Sequence, residues 1–352
     1  MMGQRAALPL TERLAAALVA GDGAATPADT LRTLVAAGLD DLPPPAGGAT
    51  LARWQALALV GASDLSLAKL YEGHTDALAI LRELQAVAAD VATRNGPALW
   101  AVWAAEAPQA RVHLREAPGG AGARIDGTKA WCSGAADVSH ALLTAWREGQ
   151  QAPQLVAVAL RQPGVSIDAS SWQAVGMAAS ASASVSFSNV PVTLVGAPGA
   201  YLQRPGFWQG GAGVAACWHG AAVALAQALR RAAAAAPRHP QAPLRLAALG
   251  QVDVALAATA ALLRESAAWL DAHPAADARL LALRVRQAVE GSARQVLDQV
   301  SRALGAAPLC LDAGFARRAA DLPVFIRQSH GAADDAALGE LLRAMPEPGW
   351  MP

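Results

Sequence analysis

The sequence changes character twice, and these two changes constrain the fold more than any single motif does. Residues up to about 94 carry apolar side chains at helical spacing, residues 95–200 form short apolar runs separated by Gly and Pro, and helical spacing then returns. Recurrence every three to four residues predicts amphipathic helices, and short runs between turn residues predict strands. We therefore predict an α+β fold with an N-terminal helical domain (1–94), a middle β-barrel or sandwich domain (95–200) and a C-terminal helical bundle (201–352).

The middle domain is predicted to contain six short strands. Serines alternate with apolar residues along 182–188, which places the apolar set on the core side of a strand. Asp126-Gly127 is a typical turn pair, because glycine adopts a positive φ at little cost. We therefore expect the chain to reverse there. The predicted strands are 99–104, 111–115, 128–132, 141–146, 154–160 and 183–187.

The flanking regions carry signals for helices and their ends. Thr26 before Pro27 predicts an N-cap with proline in the first helical position. Further helices are predicted at 8–19, 27–37 and 51–60, from Ser63-Asp64 onward, and again from His74 to about residue 92.

The C-terminal region repeats apolar residues every seven positions, from Leu249 to Leu270 and again from Ala282 to Ala303. This spacing predicts antiparallel helix packing in a bundle. A last helix is expected over 314–343, interrupted by Pro323. Residues 207–229 carry no Asp, Glu, Lys or Arg, but they are built from Ala and Gly, so we predict a buried helix and no membrane span.

Composition narrows the class of protein. The chain has 352 residues, 54% of them hydrophobic and 16% charged, with a formal net charge of zero. A neutral chain of this kind is globular, and nucleic acid or an anionic membrane is not expected as its main partner. Three scattered cysteines and seven histidines show no metal-binding spacing, so we predict no metal site and a reducing cytoplasm. Lys69 and Lys129 are the only lysines among 28 basic residues.

One stretch of the middle domain suggests a cofactor. Lys129, Trp131 and Ser133 alternate at the end of a predicted strand, just before Gly134. This order sets a flat aromatic ring and a hydroxyl donor beside open backbone, a surface against which a planar cofactor can lie. The residues alone favour the alternative, an ordinary hairpin that has a tryptophan in the core.

The same stretch resembles the middle-domain signature of acyl-CoA dehydrogenases, a Gly-x-Lys-x-Trp-x-Thr-Asn run followed by Ala-Asp. Trp131 stands at the Trp, Ser133 at the Thr and Gly134 at the Asn, and Ala136-Asp137 follows. Residues 99–106 resemble the family segment that ends in Thr-Glu-Pro, with Ala105 at the Thr and Glu106 at the Glu. The resemblance implies an FAD cofactor. The implied cofactor contacts are Trp103, Ala105, Trp131, Cys132 and Ser133.

Residues 64–74 resemble the Asp-x-Ser-Leu…His helix pair of the same family, including its monooxygenase-like branches. This resemblance implies that Tyr71 and His74 face a substrate cavity. The alternative is that both residues cap and pack a helix junction, and the residue types slightly favour it.

The family's catalytic base is missing. An acyl-CoA dehydrogenase needs a carboxylate to remove the proton alpha to the thioester. Counting from Asp321, Ser329 stands where the family keeps this Glu, with His330 next to it, and 209–213, the other usual place, has no acid. Glu72 lies in the N-terminal domain, whereas the family keeps its catalytic Glu on the C-terminal helices. Because histidine titrates near neutrality, His330 with Ser329 forms our candidate catalytic pair.

Three hypotheses follow. The first is an FAD-dependent oxidoreductase that dehydrogenates an acyl thioester, and we favour it because this activity dominates the family. The second is a flavin-dependent monooxygenase of the same fold, in which Ser133, Ser329 and His330 support the reaction with oxygen. The third is a non-catalytic binding or scaffold protein. The resemblance also implies a small-molecule substrate, an unidentified electron acceptor and a homo-oligomer, a dimer or tetramer.

Overall fold

The computed structural model describes residues 8–20, 25–85, 98–116, 122–347 and 349–351. Within these ranges, helices flank a β region, so the fold is α+β as the two changes in sequence pattern predict. The helices are α1 (Leu10–Ala20), α2 (Pro27–Ala36), α3 (Thr50–Ser63), α4 (Leu65–Glu83), α5 (Ala200–Gln203), α6 (Gly206–Ala235), α7 (Ala242–Ala272), α8 (Arg279–Leu304), α9 (Ala307–Leu311), α10 (Ala313–Phe325) and α11 (Ala332–Arg343). The strands are β1 (Trp100–Trp103), β2 (Val112–Glu116), β3 (Ala123–Cys132), β4 (His140–Ala145), β5 (Gln154–Ala159), β6 (Val165–Asp168) and β7 (Ala183–Val195).

The strands form a sheet that closes on itself. Their order is β1-β4-β5-β7-β3-β2, with β6 paired to β7. Among the described strands, the β1–β4 ladder is parallel and the other ladders are antiparallel, while the single bridge between His113 and Trp146 is also parallel. The Leu114 N–H donates to the Trp146 carbonyl (2.8 Å) and the Trp146 N–H donates to the Val112 carbonyl (2.9 Å), which joins β2 to the end of β4. This closure confirms the predicted barrel and leaves fewer unpaired strand edges.

The predicted hairpin turn at Asp126-Gly127 is wrong, because β3 runs straight through both residues. Gly127 has a φ of 114° and lies at a register shift against β7. A side chain at this position would collide with the Arg111 carbonyl oxygen. The Asp126 carboxylate accepts a hydrogen bond from the Asn189 N–H (2.9 Å) and pairs with Arg115. Glycine permits a bulge as readily as a turn, and only the strand partners decide between them.

Among the N-terminal helices, one predicted helix start is confirmed and one predicted helix boundary is wrong. Thr26 caps α2 by accepting a hydrogen bond from the Asp29 N–H (3.1 Å), as predicted. The predicted boundary before His74 is wrong, since α4 is continuous across Gly73. A Cβ at Gly73 would lie 3.8 Å from the Val102 amide nitrogen, an ordinary van der Waals distance, so packing against β1 does not require a glycine there. The 86–92 part of the predicted helix lies outside the described residues.

The chain divides into two compact units, Met1–Leu42 with Ser66–Ala174 and Ala178–Phe207, and Pro43–Leu65 with Val175–Met177 and Trp208–Pro352. The core of the first unit packs α4 against the barrel through apolar side chains such as Ile80, Trp100 and Leu142. In the second unit, the backbones of α3 and α6 are in contact at Gly61 and Gly220. A side chain at either position would collide with the backbone of the facing helix, so the contact requires glycine there.

The predicted bundle is confirmed in the second unit. Helix α7 buries Leu263 and Leu270, and α8 buries Ala282, Val289 and Val296, at the seven-residue spacing seen in the sequence. Two helices, α6 and α7, are long and apolar enough to cross a membrane by length and composition alone. The apolar stretch of α6 is 72% buried inside the protein, which confirms the predicted buried helix, and that of α7 is 22% buried.

Candidate functional site

Trp131 has an unusual backbone for its residue type. Its φ is 58°, a left-handed conformation that costs a residue with a Cβ about 1–3 kcal/mol. It lies between Lys129 and Cys132, where β3 shifts register against β7, and its side chain is 59% exposed. Bulges often re-aim a side chain beside a functional site. The bulge here turns an indole ring outward while Cys132 stays inside.

The turn after β3 brings Trp103 to Ser133, 30 positions away in the sequence. Trp103 is buried, and its indole Nε1–H donates to the Ser133 carbonyl (3.2 Å). The Ser133 hydroxyl lies 3.2 Å from that of Ser182, which lies 3.0 Å from that of Ser180. The backbone after Trp131 is therefore fixed by a ring on one side and a chain of hydroxyls on the other.

The remaining predicted cofactor residues differ in exposure. Ala105 is exposed just after β1. Cys132 is buried, its thiol donates to the Lys129 carbonyl (3.3 Å), and burial raises its pKa to about 12. Trp131 and Ala105 thus offer accessible surface, Ser133 is half-buried, and Trp103 and Cys132 support the site from inside.

A polar network links the ends of β1, β3 and β4. The Lys129 ammonium is buried and donates to Glu106 Oε1 (2.8 Å) and to the Thr144 hydroxyl (2.8 Å). The Trp146 Nε1–H donates to the other Glu106 oxygen (3.1 Å). Burial on its own raises the pKa of Glu106, but the hydrogen bonds from Lys129 and Thr144 outweigh it and leave the pKa below its ordinary value. Burial lowers the pKa of Lys129, and the bond to Glu106 opposes this shift.

Tyr71 and His74 are both buried in α4. The Tyr71 hydroxyl donates to the Leu39 carbonyl (2.5 Å). His74 Nδ1 accepts the Trp100 N–H (3.0 Å), so its Nε2 carries the ring proton and donates to the Asp40 carboxylate (3.0 Å). Both ring nitrogens are therefore committed to holding β1 and the segment before α3. Substrate contact by these residues stays a prediction.

Ser329 and His330 lie in the turn before α11. Ser329 is buried, and its hydroxyl donates to the side-chain amide oxygen Oε1 of Gln287 (3.3 Å). Asp334 accepts the His330 backbone N–H (3.0 Å) with one carboxylate oxygen, and its other oxygen lies 3.2 Å from His330 Nδ1. The imidazole is 77% exposed. A carboxylate that fixes one nitrogen of an exposed histidine orients the ring for proton exchange through the other.

Asp334 was not singled out from the sequence. An acidic residue in the first turn of a helix, after a glycine, signals only a favourable helix start. The pairing of Asp334 with His330 appears when the turn geometry is known. Its position four residues after a candidate histidine was the one signal available.

Glu72 is buried in α4 and paired with Lys69 (2.9 Å). Burial raises its pKa, and Lys69 partly offsets this effect. Next to the pair is a cavity of about 10 Å³, a volume that holds one water molecule. It is lined by Lys69, Leu70, Gly73, Trp100, Ala101, Val102, Trp103, Ser133 and Val138. Glu72 itself does not line this cavity and is 6% exposed.

No protein-family model and no curated protein sequence matches the chain. Among solved structures, it is similar to dibenzothiophene monooxygenase TdsC from Paenibacillus sp. A11-2 (21% identity, 97% of this chain and 98% of that chain, TM-score 0.77). It is also similar to KijD3 in complex with FMN and a dTDP-linked amino-keto sugar (21%, 97% and 95%, 0.79). A third similar structure is methanesulfinate monooxygenase MsuC from Pseudomonas fluorescens (20%, 97% and 99%, 0.72). At these identities the similarity shows a shared fold over nearly the whole chain.

No group of three or more potential metal ligands occurs among the residues that the structure describes.

Proposed function

We propose that this protein is a flavin-dependent monooxygenase that uses FMN and acts on a small organic molecule. The observation that carries the proposal is Trp131, an exposed indole held in a left-handed conformation next to Ser133. This arrangement occurs on a fold shared along 97% of the chain with TdsC, which has been solved with FMN bound.

The residues present fit a flavin. The exposed face of Trp131 offers a planar apolar surface, and the backbone at Ala105 and the hydroxyl of Ser133 offer polar contacts for ring carbonyls and nitrogens. Trp103 and Cys132 support this surface from the core. A bound reduced flavin supplies two electrons to O₂, so that one oxygen atom enters the substrate and the other leaves as water.

Monooxygenation needs no carboxylate base, and this is the main argument against the acyl-CoA dehydrogenase hypothesis. The position where that family keeps its Glu holds Ser329, and Glu72 is enclosed and paired with Lys69. In the proposed reaction, the exposed His330 exchanges a proton with solvent or substrate. Asp334 keeps the ring oriented.

FMN replaces our initial expectation of FAD. Two of the similar structures, TdsC and KijD3, have been solved with FMN bound. The two cofactors share the isoalloxazine ring, so the predicted ring contacts do not distinguish them. Equilibrium titration with each flavin separates the possibilities, and we expect tighter binding of FMN.

The experiment that tests the function starts with flavin binding. We expect the native protein to bind FMN near one per chain and Trp131→Ala to bind it at least tenfold more weakly. Trp350→Ala is the matched control, because it removes another exposed tryptophan (77%) far along the sequence. Reduced flavin, ¹⁸O₂ and a panel that includes indole and an aryl sulfide should then give a product with one labelled oxygen.

Three results would contradict the proposal in different ways. Bleaching of the oxidised flavin by an acyl-CoA without oxygen would select the dehydrogenase hypothesis. Reduction of the bound oxidised flavin by a panel compound without oxygen, followed by release of hydrogen peroxide when oxygen is admitted, would indicate an oxidase. A native protein that retains neither flavin would leave the fold as a binding or scaffold module.

We further propose a cytoplasmic homo-oligomer. Helix α7 exposes Leu244 (68%), Leu246 (59%) and Val254 (70%), and apolar side chains at this density on one helix commonly mark a contact between subunits. Light scattering after size-exclusion chromatography should give a multiple of 35.8 kDa. A mass of one chain at micromolar concentration would refute this part of the proposal.

A further inference from the structure

Lysine is rare in this chain, and Lys129 occupies a place that few lysines occupy. All but two of the 28 basic residues are arginines, so arginine is the default cation of the sequence. Lys129 is fully buried inside the barrel. Lysine carries a compact ammonium on a flexible stem, whereas the guanidinium of arginine is wide and planar. The enclosed position of Lys129 therefore accommodates a lysine more easily than an arginine.

The Lys129–Glu106 pair joins two segments that the sheet keeps apart. Strands β1 and β3 are not neighbours in the sheet order. Glu106 directly follows Ala105 after β1, and Lys129 precedes Trp131 by two residues in β3. The ion pair of 2.8 Å thus runs from Lys129 in the barrel interior to the partly exposed Glu106, and it joins the segments that carry the two exposed positions of the candidate flavin site.

The two charges of the pair cancel, and each residue makes several hydrogen bonds. Glu106 accepts from Lys129, Thr144 and Trp146, and Lys129 donates to Glu106 and Thr144. Lys129 is buried, so its ammonium is strongly unfavourable once Glu106 is lost, whereas the Glu106 side chain is 34% exposed and keeps contact with solvent. The network therefore holds one positive and one negative charge at fixed positions near Ala105 and Trp131.

We propose that the Lys129–Glu106 pair is a positioning element of the flavin site that also sets the electrostatic potential there. The inference rests on the proposed function. The isoalloxazine ring is anionic at neutral pH when reduced and neutral when oxidised. An unbalanced positive charge near the site therefore strengthens binding of the reduced form relative to the oxidised form, and an unbalanced negative charge weakens it. Glu106→Gln leaves the ammonium unbalanced and favours the reduced form. Lys129→Met leaves the carboxylate unbalanced and favours the oxidised form.

The test measures the midpoint potential of bound FMN in the native protein, both single variants and the double variant Glu106→Gln/Lys129→Met. We expect each single variant to change the ratio of the two affinities about tenfold, which is a shift of about 30 mV for a two-electron couple. The shift should be positive for Glu106→Gln and negative for Lys129→Met. The double variant restores neutrality, so its midpoint potential should differ from that of the native protein by less than a third of either single shift.

Glu116→Gln is the matched control, because Glu116 pairs with Arg147 on the same barrel but is 62% exposed. It should leave the potential unchanged. Circular dichroism and FMN stoichiometry establish that each variant is folded and loaded. If Lys129→Met does not fold, the single Glu106→Gln and the double variant still decide the question.

The outcomes separate this inference from the proposed function. Three results would overturn the electrostatic role while flavin binding stands. The two single variants could shift the midpoint potential with the same sign, the double variant could shift it further than either single variant, or no variant could shift it at all. A native protein that binds no flavin would overturn both. Opposite shifts that cancel in the double variant would support both.

Discussion

Two histidines of this protein each pair with an aspartate, yet their surroundings differ in nearly every other respect. His74 in α4 is 1% exposed, and both of its ring nitrogens are hydrogen-bonded, to Asp40 and to the Trp100 N–H. The His330 ring before α11 is 77% exposed, and Asp334 engages one of its nitrogens. The same pair of residue types thus serves the fold in one place and leaves an accessible imidazole in the other.

The difference teaches what a sequence motif can and cannot say about histidine. A carboxylate partner fixes the tautomer in both cases, but only an accessible second nitrogen permits proton exchange with a substrate or with water. Exposure of that nitrogen depends on long-range packing. Substitutions at the two sites should therefore separate stability from activity.

The largest effect is expected for His74→Ala. The substitution leaves a cavity in α4 and strands a buried backbone N–H at Trp100, together with the Asp40 carboxylate. We expect the free energy of unfolding to fall by about 3–4 kcal/mol. Urea unfolding followed by circular dichroism measures it. His113→Ala is the control, because that side chain is exposed. A loss below about 1 kcal/mol, combined with a strong loss of activity, would reverse the assignment of the two histidines.

The second effect is expected for His330→Gln. We expect turnover in the monooxygenase assay to fall about 100-fold, which corresponds to about 2.7 kcal/mol in the barrier, in the range typical of a lost acid–base group. Stability should change by less than about 0.5 kcal/mol, since the ring is exposed. Rate and stability are measured on the same preparation. Unchanged turnover would remove His330 from the chemistry.

A smaller effect is expected for Asp334→Asn. The amide still reaches His330, but it no longer holds the imidazole with a charged acceptor. We expect turnover to fall about tenfold, because the imidazole is held less firmly in the orientation that proton exchange needs. A purely structural Asp334 would lower stability and leave turnover within twofold of the native value. Asp335→Asn, one residue along the same first turn of α11, is the matched control.

Much of the fold was predictable from local pattern. The helical, β and helical order, the Thr26 cap and the seven-residue spacing of α7 and α8 all follow from residues close in sequence. Strand β6 was missed, because Val165–Asp168 is only four residues long. The start of α4 was found, but a continuous helix across Gly73 was not, because a glycine within a helical pattern reads equally well as a break.

The site was less predictable than the fold. The sequence pointed to Trp131 and Ser133, but the left-handed backbone of Trp131 arises from a bulge that depends on its pairing with β7. The bonds of His74 reach Asp40 and Trp100, 34 and 26 positions away. No local pattern indicates such partners, so His74 is equally readable as a substrate contact or as a buried support.

The smallest effect is expected for Asp40→Asn, and it tests the comparison most finely. The asparagine carbonyl can still accept the His74 Nε2–H, so the tautomer and the bond to the Trp100 N–H persist. Only the gain from a charged acceptor is lost, about 1 kcal/mol of unfolding free energy. Turnover should stay within twofold, in contrast to the tenfold loss for Asp334→Asn. If the same chemical change costs activity at Asp40 and stability at Asp334, accessibility does not divide the two histidines, and His74 acts on the substrate after all.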